Sequence, residues 1–316
     1  MKIVTMEPLG IPTEKVLAMA ESLKAAGHDF TYYETKETDQ TKLLARCKAA
    51  DILILANQPL SNNIINNCPN LKMLSVAFTG VDHIDLDACK IHNISVCNAA
   101  GYSTNAVAEL VFGLSIAVIR NIVPCDQRTR QSATKDGLVG FELHGKKFGV
   151  IGTGAIGSRV AEIAQAFGCE VYAYSRTEKQ SLSQKGILYV DLATLLANCD
   201  FISLHVPLND NTKNIIDEKA LATMKPTAIL INTARGPVVD NKALAKALND
   251  GKIAGAGIDV FEIEPPISAD HSLISAKNTV LTPHIAFAST EALITRADIV
   301  FANIEKWLAG KPQNLI

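Results

Sequence analysis

Residues 148–157 have the sequence FGVIGTGAIG, and this stretch decides the fold. Its first four residues form an apolar run typical of a buried strand, and a helical pattern continues beyond the last glycine to Phe167. Gly152 permits a tight turn, Gly154 lets the backbone approach a pyrophosphate, and Gly157 lets the helix pack closely on the strand. GxGxxG alone also fits any glycine-rich turn. Between a strand and a helix it predicts a dinucleotide-binding turn with the anion at the helix N terminus.

Short β-rich apolar runs alternate with helical patterns on both sides of this turn. The predicted strands are 2–5, 30–33, 52–55, 73–77 and 94–97 upstream, and 148–151, 170–174, 201–204, 228–231, 255–258 and 280–281 downstream. Helical patterns include 14–26, 42–49, 104–120 and 289–309, with a more polar connecting arm at 121–147. This alternation predicts two α/β domains, each built on a parallel sheet of right-handed βαβ units.

Composition excludes several function classes. The 316 residues carry a net charge of −2, which provides no general attraction to nucleic acid or to an anionic membrane. No apolar run has the length of a membrane span, and the first residues resemble a strand and not a signal peptide. The seven cysteines include no CxxC pair, so we expect reduced thiols in a cytoplasmic protein, with no disulfide framework and no metal site.

The strand after the glycine turn ends at Ser175-Arg176-Thr177. An NAD-selective fold usually has Asp or Glu here to bind both ribose hydroxyls. Ser175 lacks the carboxylate that would repel a 2′-phosphate, and Arg176 supplies a cation that can pair with one. These residues favour NADP over NAD. Alternatively, Arg176 is a solvated surface residue and the site accepts either cofactor.

Motifs along essentially the whole chain resemble those of the D-isomer-specific 2-hydroxyacid dehydrogenases. They are residues 80–85 (GVDHID), 98–103 (NAAGYS), 106–109 (AVAE), the glycine turn, 205–208 (HVPL), 232–236 (NTARG), 259–265 (DVFEIEP) and 282–285 (TPHI). The resemblance implies a flavodoxin-like substrate domain, residues 1–98 plus 286–316, around an inserted Rossmann-type dinucleotide-binding domain, residues 99–285. It further implies a cleft active site and a homodimer. His83 and the segment 282–286 are most similar to the glyoxylate, hydroxypyruvate and glycerate group.

The resemblance implies three catalytic residues: Arg235, Glu264 and His284. Hydride transfer to a 2-oxo carbon needs a cation to stabilise the developing oxyanion and an acid to protonate it. Arg235 is suited to hold the substrate carboxylate and oxo group because its planar fork donates two bonds at once. His284 is the expected acid, or the base in oxidation. Glu264 would orient the imidazole and favour its protonated form.

Further site residues are carried over from the same resemblance. The expected cofactor contacts are Thr104, Gly152, Gly154, Ala155, Ile156, Gly157, Ser175, Arg176, Val206, Pro207, Thr212, Thr233, Ala234 and Asp259, the last through the carboxamide. The expected substrate contacts are Phe78, Thr79, Gly80, Arg235 and His284, with Val81 completing a backbone anion nest. Phe78 departs from the glycine or small residue usual at its position, and we expect its ring to narrow the pocket. Phe287 stands where some glyoxylate and glycerate enzymes have tryptophan.

The sequence is also compatible with two other function classes. A non-catalytic dinucleotide sensor would keep the fold, but the complete set of Arg235, Glu264 and His284 argues against it. Phosphite and formate dehydrogenases would keep hydride transfer with another donor. Formate enzymes usually have glutamine beside the histidine, whereas phosphite enzymes have the same three residue types. A short 3-phosphoglycerate dehydrogenase is a further possibility. The physiological substrate and the reaction direction do not follow from the sequence.

Overall fold

The computed structural model describes residues 1–316 and divides into two compact units. Unit 1 comprises Met1–Ser103 and Ala288–Ile316, and unit 2 comprises Thr104–Phe287. The sequence predicts these divisions after residue 98 and after residue 285, each a few residues earlier than in the structure. The first division coincides with the start of a long helix that packs within unit 2. The prediction of two parallel-sheet α/β domains is confirmed.

The chain contains twelve strands and thirteen α-helices. The strands are β1 Lys2–Thr5, β2 Asp29–Tyr32, β3 Ile52–Leu55, β4 Met73–Val76, β5 Ser95–Cys97, β6 Lys147–Ile151, β7 Glu170–Tyr174, β8 Leu188–Tyr189, β9 Phe201–Leu204, β10 Ile229–Asn232, β11 Gly255–Ile258 and β12 Thr279–Leu281. The helices are α1 Thr13–Met19, α2 Glu21–Ala25, α3 Gln40–Cys47, α4 Asn62–Asn66, α5 Leu86–Ile91, α6 Thr104–Ile119, α7 Ile122–Arg130, α8 Ala155–Ala166, α9 Gln180–Ser183, α10 Leu192–Asn198, α11 Glu218–Thr223, α12 Asn241–Asn249 and α13 Thr290–Leu308.

Unit 1 is a five-stranded sheet in the order β2-β1-β3-β4-β5, with every neighbouring pair parallel. β3 and β4 are buried along their whole length, as expected for a parallel sheet covered on both faces. The returning helix α13 packs on β4, where the Ser75 hydroxyl donates to the Val300 carbonyl at 2.9 Å. The Asn303 amide donates to the Asn98 carbonyl, also at 2.9 Å. Both ends of the chain therefore build this unit.

Unit 2 is a seven-stranded parallel sheet in the order β12-β11-β10-β9-β6-β7-β8. Its centre is aromatic, because the rings of Phe148 on β6 and Phe201 on β9 stack at 5.6 Å between centroids. Within this sheet β6 is the first strand in the chain, and β7 and β8 are added in order on one side of it. The chain then returns, and β9 pairs with the other side of β6. Ligands bind open α/β sheets at the carboxyl ends of the strands beside such a reversal. The glycine turn follows β6 at this position.

Three details differ from the sequence expectations. The helix expected over 14–26 is two helices that meet at Ala20, whose N–H is shared between the carbonyls of Val16 and Leu17, each at 3.2 Å. The expected connecting arm contains α7, and the edge strand β8 was not predicted.

By length and apolarity no single helix could cross a membrane; only α6 and α7 counted together, across a 60° bend, reach that size.

Candidate cofactor cleft and active site

The three glycines of the turn have different neighbours. An added Cβ at Gly152, where φ is +95°, would lie 2.5 Å from the His205 carbonyl oxygen. At Gly157 it would lie 1.9 Å from the Gly152 oxygen, so both positions require glycine for packing within the protein. At Gly154 the added Cβ meets nothing within 4 Å, and φ is an ordinary −62°. Packing does not explain Gly154, whereas a ligand seated against the turn does.

A cleft of about 580 Å³ opens beside this turn in unit 2. Seven of the predicted cofactor residues line it: Gly152, Gly154, Ser175, Arg176, Val206, Pro207 and Thr212. The lining also includes residues that sequence reasoning missed: Thr153, Tyr174, Thr177, Lys179, His205, Asn209, Asn211 and Ile215. Ala155 and Ile156 form the first turn of α8, whose N terminus has no side-chain cap. The uncapped N–H groups and the helix dipole suit an anion.

Two cations, Arg176 and Lys179, line the cleft. Arg176 is exposed, and the Ser175 hydroxyl beside it accepts the Thr153 N–H at 3.4 Å. Lys179 reaches back to the glycine turn, where its Nζ donates to the Ser158 hydroxyl at 2.9 Å and to the Gly154 carbonyl at 3.3 Å. A lysine at a helix N terminus opposes the helix dipole, so its position there calls for a compensating anion. Its place three residues after Arg176 was the available sequence signal.

His205 closes the inner wall of the cleft immediately after β9. Its Nε2 forms a 2.8 Å hydrogen bond with the hydroxyl of Ser203. Burial lowers the pKa of His205 to about 3, so the ring is neutral at physiological pH. Because its carbonyl also lies against Gly152, His205 shapes the turn and is not a proton donor to a substrate at neutral pH.

A short turn after β10 positions Arg235. The Asn232 side chain is fully buried; its oxygen accepts the Ala234 N–H at 3.0 Å, and its nitrogen donates to the Arg235 carbonyl at 2.9 Å. The Arg235 Nη1 donates to the Ala234 carbonyl at 2.8 Å. These two hydrogen bonds of its side chain explain why an asparagine precedes Thr-Ala-Arg in the sequence. Between them Thr233 is 8 % exposed, and its hydroxyl has no hydrogen-bond partner in the protein.

The predicted partners Glu264 and His284 are in direct contact. The Nδ1 of His284 lies 2.8 and 2.9 Å from the two carboxylate oxygens of Glu264. The imidazole is 18 % exposed and the carboxylate 61 % exposed, so the histidine is the more enclosed member of the pair. A carboxylate on Nδ1 fixes the ring orientation and stabilises positive charge on the imidazole. Proton exchange with a substrate is then left to Nε2.

Asp259 holds the chain on both sides of His284. It is fully buried, and one carboxylate oxygen accepts the Thr282 hydroxyl at 2.6 Å and the Ile285 N–H at 2.9 Å. The other oxygen accepts the Ala286 N–H at 2.9 Å. These bonds hold His284 at φ +57°, an uncommon value for histidine. In this structure Asp259 positions the histidine; its expected contact with the cofactor carboxamide stays a prediction.

The loop that carries Glu264 is braced on both sides. Glu262 bonds to His271 at 2.9 Å, and the ring of Phe261 meets the His271 ring edge-on at 5.4 Å. An added Cβ at Gly236 would lie 1.9 Å from the backbone of Phe261. The glycine after Arg235 is therefore required for this loop to pack against the arginine turn. Packing within unit 2 couples Arg235 to the Glu264 loop.

Unit 1 presents the expected substrate loop at the carboxyl end of β4. Phe78 is half-buried and Thr79 exposed, and the Asn98 side chain donates to the Thr79 carbonyl at 2.7 Å. The Ala99 N–H donates to the Phe78 carbonyl at 2.9 Å. The last expected contact, Thr104, is half-buried and begins α6 in unit 2. Asn98 and Ala99, which follow β5, therefore hold the backbone of the loop at Phe78 and Thr79 within unit 1.

Comparison with known proteins identifies the family of the chain. Residues 112–286 match the family model described as the D-isomer specific 2-hydroxyacid dehydrogenase, NAD binding domain. A glyoxylate reductase of Thermococcus litoralis is 42 % identical over 87 % of this chain and 86 % of its own length. A glycerate dehydrogenase of Methylorubrum extorquens is 39 % identical over 96 % and 99 %. Among solved structures, an acyclic imino acid reductase in complex with NADPH and D-Arg has a TM-score of 0.90 and 35 % identity, with 100 % of both chains covered.

Proposed function

The chain belongs to the D-isomer-specific 2-hydroxyacid dehydrogenase family, and we propose that it reduces a short 2-oxo acid, such as glyoxylate or hydroxypyruvate, with NADPH. Its relatives make it an NAD(P)-dependent oxidoreductase that acts on 2-oxo and 2-hydroxy acids. The observation that carries the proposal is the pairing of His284 Nδ1 with both oxygens of Glu264. A non-catalytic sensor would have no need of such a pair.

Each catalytic residue has a defined task in the proposed reaction. A reduced nicotinamide cofactor, when bound, would supply the hydride for the 2-oxo carbon. Arg235 holds the substrate carboxylate and polarises the oxo group. His284 donates the proton from Nε2 to the oxygen as negative charge develops there, and Glu264 stabilises the charge of the imidazolium beforehand. The backbone N–H groups of residues 79–81 are proposed to provide a further anion nest for the carboxylate.

Two features of unit 2 fit a dinucleotide. The open position at Gly154 leaves room for a pyrophosphate against the uncapped start of α8. The buried hydroxyl of Thr233 lacks a partner within the protein and would gain one from the nicotinamide end of the cofactor. Ala234 and Asp259 follow the carboxyl ends of β10 and β11, which are neighbouring parallel strands.

The proposed preference for NADPH rests on charge. Arg176 and Lys179 both line the cleft, and no carboxylate stands at Ser175 to repel a 2′-phosphate. A phosphate there would pair with the guanidinium in a bidentate manner and with the lysine as a point charge. The solved reductase that binds NADPH is a further argument from similarity. Replacing Ser175 with aspartate should shift the preference towards NADH.

A homodimer and a cytoplasmic location are also proposed. Ile122 and Val123 on α7 are 48 % and 45 % exposed, and Val139 is 82 % exposed. Exposed apolar side chains along residues 122–139 would fit a surface covered by a second copy. All seven cysteines are free and six of them are buried, as expected in a reducing compartment. Sedimentation of the purified protein would test the dimer.

The reaction is tested by following the absorbance of NADPH and NADH with a series of 2-oxo acids. The series is glyoxylate, hydroxypyruvate, pyruvate, phenylpyruvate and 2-oxoisocaproate. We expect oxidation of NADPH with the shortest acids, and slower turnover as the chain lengthens. Formate and phosphite, offered with NADP⁺ or NAD⁺, test the other donors. Cofactor binding without turnover of any of these compounds would contradict an enzymatic role on them.

A second candidate activity is the reduction of an imino acid. The observation in its favour is the similarity over the whole chain to the imino acid reductase that binds NADPH and D-Arg. D-arginine with NADP⁺, compared with D-glycerate and glycolate, distinguishes the two. Reduction of NADP⁺ by D-arginine and not by the hydroxy acids would favour this second function.

A further inference from the structure

A buried arginine in unit 1 lies beside the expected substrate loop. Arg296 belongs to α13 and is 3 % exposed. Full burial of a guanidinium is costly unless neighbouring groups hold its charge and its hydrogen bonds. Most arginine side chains on helices are exposed to solvent. The position of Arg296 therefore needs an explanation from its surroundings.

The loop after β1 holds one side of the guanidinium. Its Nη2 donates to the Leu9 carbonyl at 2.6 Å, and an added Cβ at Gly10 would lie 3.3 Å from the same nitrogen. Glu7 is 3 % exposed, accepts the backbone N–H groups of Ala56 and Gln58, and attracts the arginine through its charge. These contacts hold the guanidinium in one place.

Two aromatic rings cover the other side. The guanidinium carbon lies 5.2 Å from the ring centroid of Phe78 and 5.8 Å from that of Tyr102. The two rings meet edge-to-face at 6.2 Å. Cation–π attraction is strongest when the cation is removed from water, as Arg296 is. The ring of Phe78 is therefore held by a fixed cation and by a second ring.

Phe78 begins the loop whose next residues are the expected anion nest. Its own carbonyl accepts the Ala99 N–H, so its backbone is fixed as well as its ring. We propose that Arg296 is a positioning residue for substrate selection: it holds the Phe78 ring at the head of the substrate loop, and the fixed ring limits the chain length of the 2-oxo acid. The inference rests on the proposed function and adds a residue to which that function assigns no role.

The test is a double-mutant cycle on substrate selectivity. The variants are Arg296→Met, which keeps length and apolar packing, Phe78→Gly, and the pair. The readout is the ratio of kcat/KM for 2-oxoisocaproate to that for glyoxylate, with kcat and KM separated. We expect Arg296→Met to raise this ratio roughly tenfold, mainly through KM, because a mobile ring admits the longer chain. In the Phe78→Gly background the same change should have no further effect.

Arg46 provides the matched control. Its guanidinium also lies over a ring in unit 1, 4.4 Å from that of Tyr33, and also donates to a backbone carbonyl, that of Met6, at 3.0 Å. Arg46→Met should lower the melting temperature and leave the selectivity ratio unchanged. If Arg296→Met fails to fold, Phe78→Leu replaces it, because leucine keeps bulk but offers no ring to the cation. It should raise the ratio in the same direction.

Several outcomes would overturn the inference. An equal change of the ratio in both backgrounds would show that Arg296 acts without Phe78. A lower melting temperature with an unchanged ratio would make Arg296 structural only. Full selectivity in Phe78→Leu would show that bulk suffices without the cation. Absence of turnover of every 2-oxo acid by the unaltered enzyme would instead defeat the proposed function, which separates the two failures.

Discussion

The backbone N–H of His284 donates to the Asp259 carbonyl at 2.8 Å, while the Asp259 carboxylate accepts the N–H groups of the two residues that follow the histidine. One buried residue thus fixes the histidine segment through both its main chain and its side chain. The arrangement keeps His284 in the left-handed region, where its Nδ1 meets Glu264. Strain of this kind persists only where the surroundings determine it.

Replacement of Asp259 by asparagine should affect both stability and turnover. The amide –NH₂ would face N–H donors in place of one carboxylate oxygen, which leaves a buried donor unsatisfied. We expect a loss of about 1–3 kcal/mol of unfolding free energy and a fall in kcat of roughly tenfold or more. Denaturant unfolding and steady-state kinetics measure the two effects. Asp217→Asn is the control, because Asp217 caps α11 and asparagine caps a helix equally well. Unchanged unfolding and kcat in Asp259→Asn would contradict the assigned role.

Replacement of Glu264 by glutamine should slow the reduction. Glutamine can still orient the imidazole, but it carries no negative charge to stabilise the imidazolium. We expect kcat/KM for reduction to fall by about tenfold to a hundredfold, measured by steady-state kinetics. Glu262→Gln is the matched control, since Glu262 lies in the same loop and pairs with His271. An equal fall of kcat/KM in both variants would assign the effect to the loop as a whole.

The alanine variants of two glycines separate ligand binding from packing. Gly154→Ala places its methyl in open space, so the melting temperature should stay within about 1 °C while the dissociation constant for NADPH rises roughly tenfold. Gly157→Ala forces its methyl to 1.9 Å from the Gly152 oxygen and should lower the melting temperature clearly. Nucleotide fluorescence and thermal unfolding give the two readouts. Tight NADPH binding by Gly154→Ala would place the pyrophosphate elsewhere.

His205 should make the protein sensitive to mild acid. Burial lowers the pKa of His205 to about 3, whereas an unfolded histidine titrates near its ordinary 6.5. Below pH 6.5 the unfolded chain binds the proton and the folded chain does not, so stability is full above pH 6.5 and falls as the pH drops towards 3. The slope from this residue is at most about 1.4 kcal/mol per pH unit.

The variant His205→Gln isolates this contribution. Denaturant unfolding between pH 4.5 and 8 should show a shallower loss of stability in the variant than in the unaltered protein. The Ser203 hydroxyl keeps a partner of similar reach in glutamine, so the comparison at pH 8 serves as the internal control. Parallel curves for the two proteins across this range would show that His205 can be protonated without unfolding.

The buried strands could be predicted from the sequence, whereas the exposed helix α7 and the edge strand β8 could not. The four-residue strands β3 and β9, apolar except for Ser203, were predicted because strands buried on both faces have mostly apolar residues without regular polar alternation. The helix α7 has no buried residue and hence no apolar stripe, so no periodicity could indicate it. β8 is two residues long and pairs only at an edge, below the length at which a pattern forms.

Within the site, residue types were easier to predict than their tasks. The contact of Glu264 with His284, which are 20 residues apart, followed from the family resemblance, because neither residue alone indicates the other. Lys179 was missed because its contact with Gly154 crosses 25 residues and is formed by the return of the chain after β7. The burial of Arg296 was equally hidden, since its neighbours Leu9 and Phe78 come from distant parts of unit 1.

The discontinuity of unit 1 constrains how the protein is made. The hydrogen-bonded residues Ser75 and Val300 are 225 residues apart in the sequence, and Asn98 and Asn303 are 205 residues apart. During synthesis the first five strands therefore leave the ribosome without the helix that covers them, whereas unit 2 is continuous and can complete its sheet first. The nascent amino-terminal segment exposes apolar strand faces throughout that interval, which is when chaperones and proteases have access to it. A circular permutant opened between residues 287 and 288, with a flexible linker from Ile316 to Met1, would make both units continuous and remove the delay.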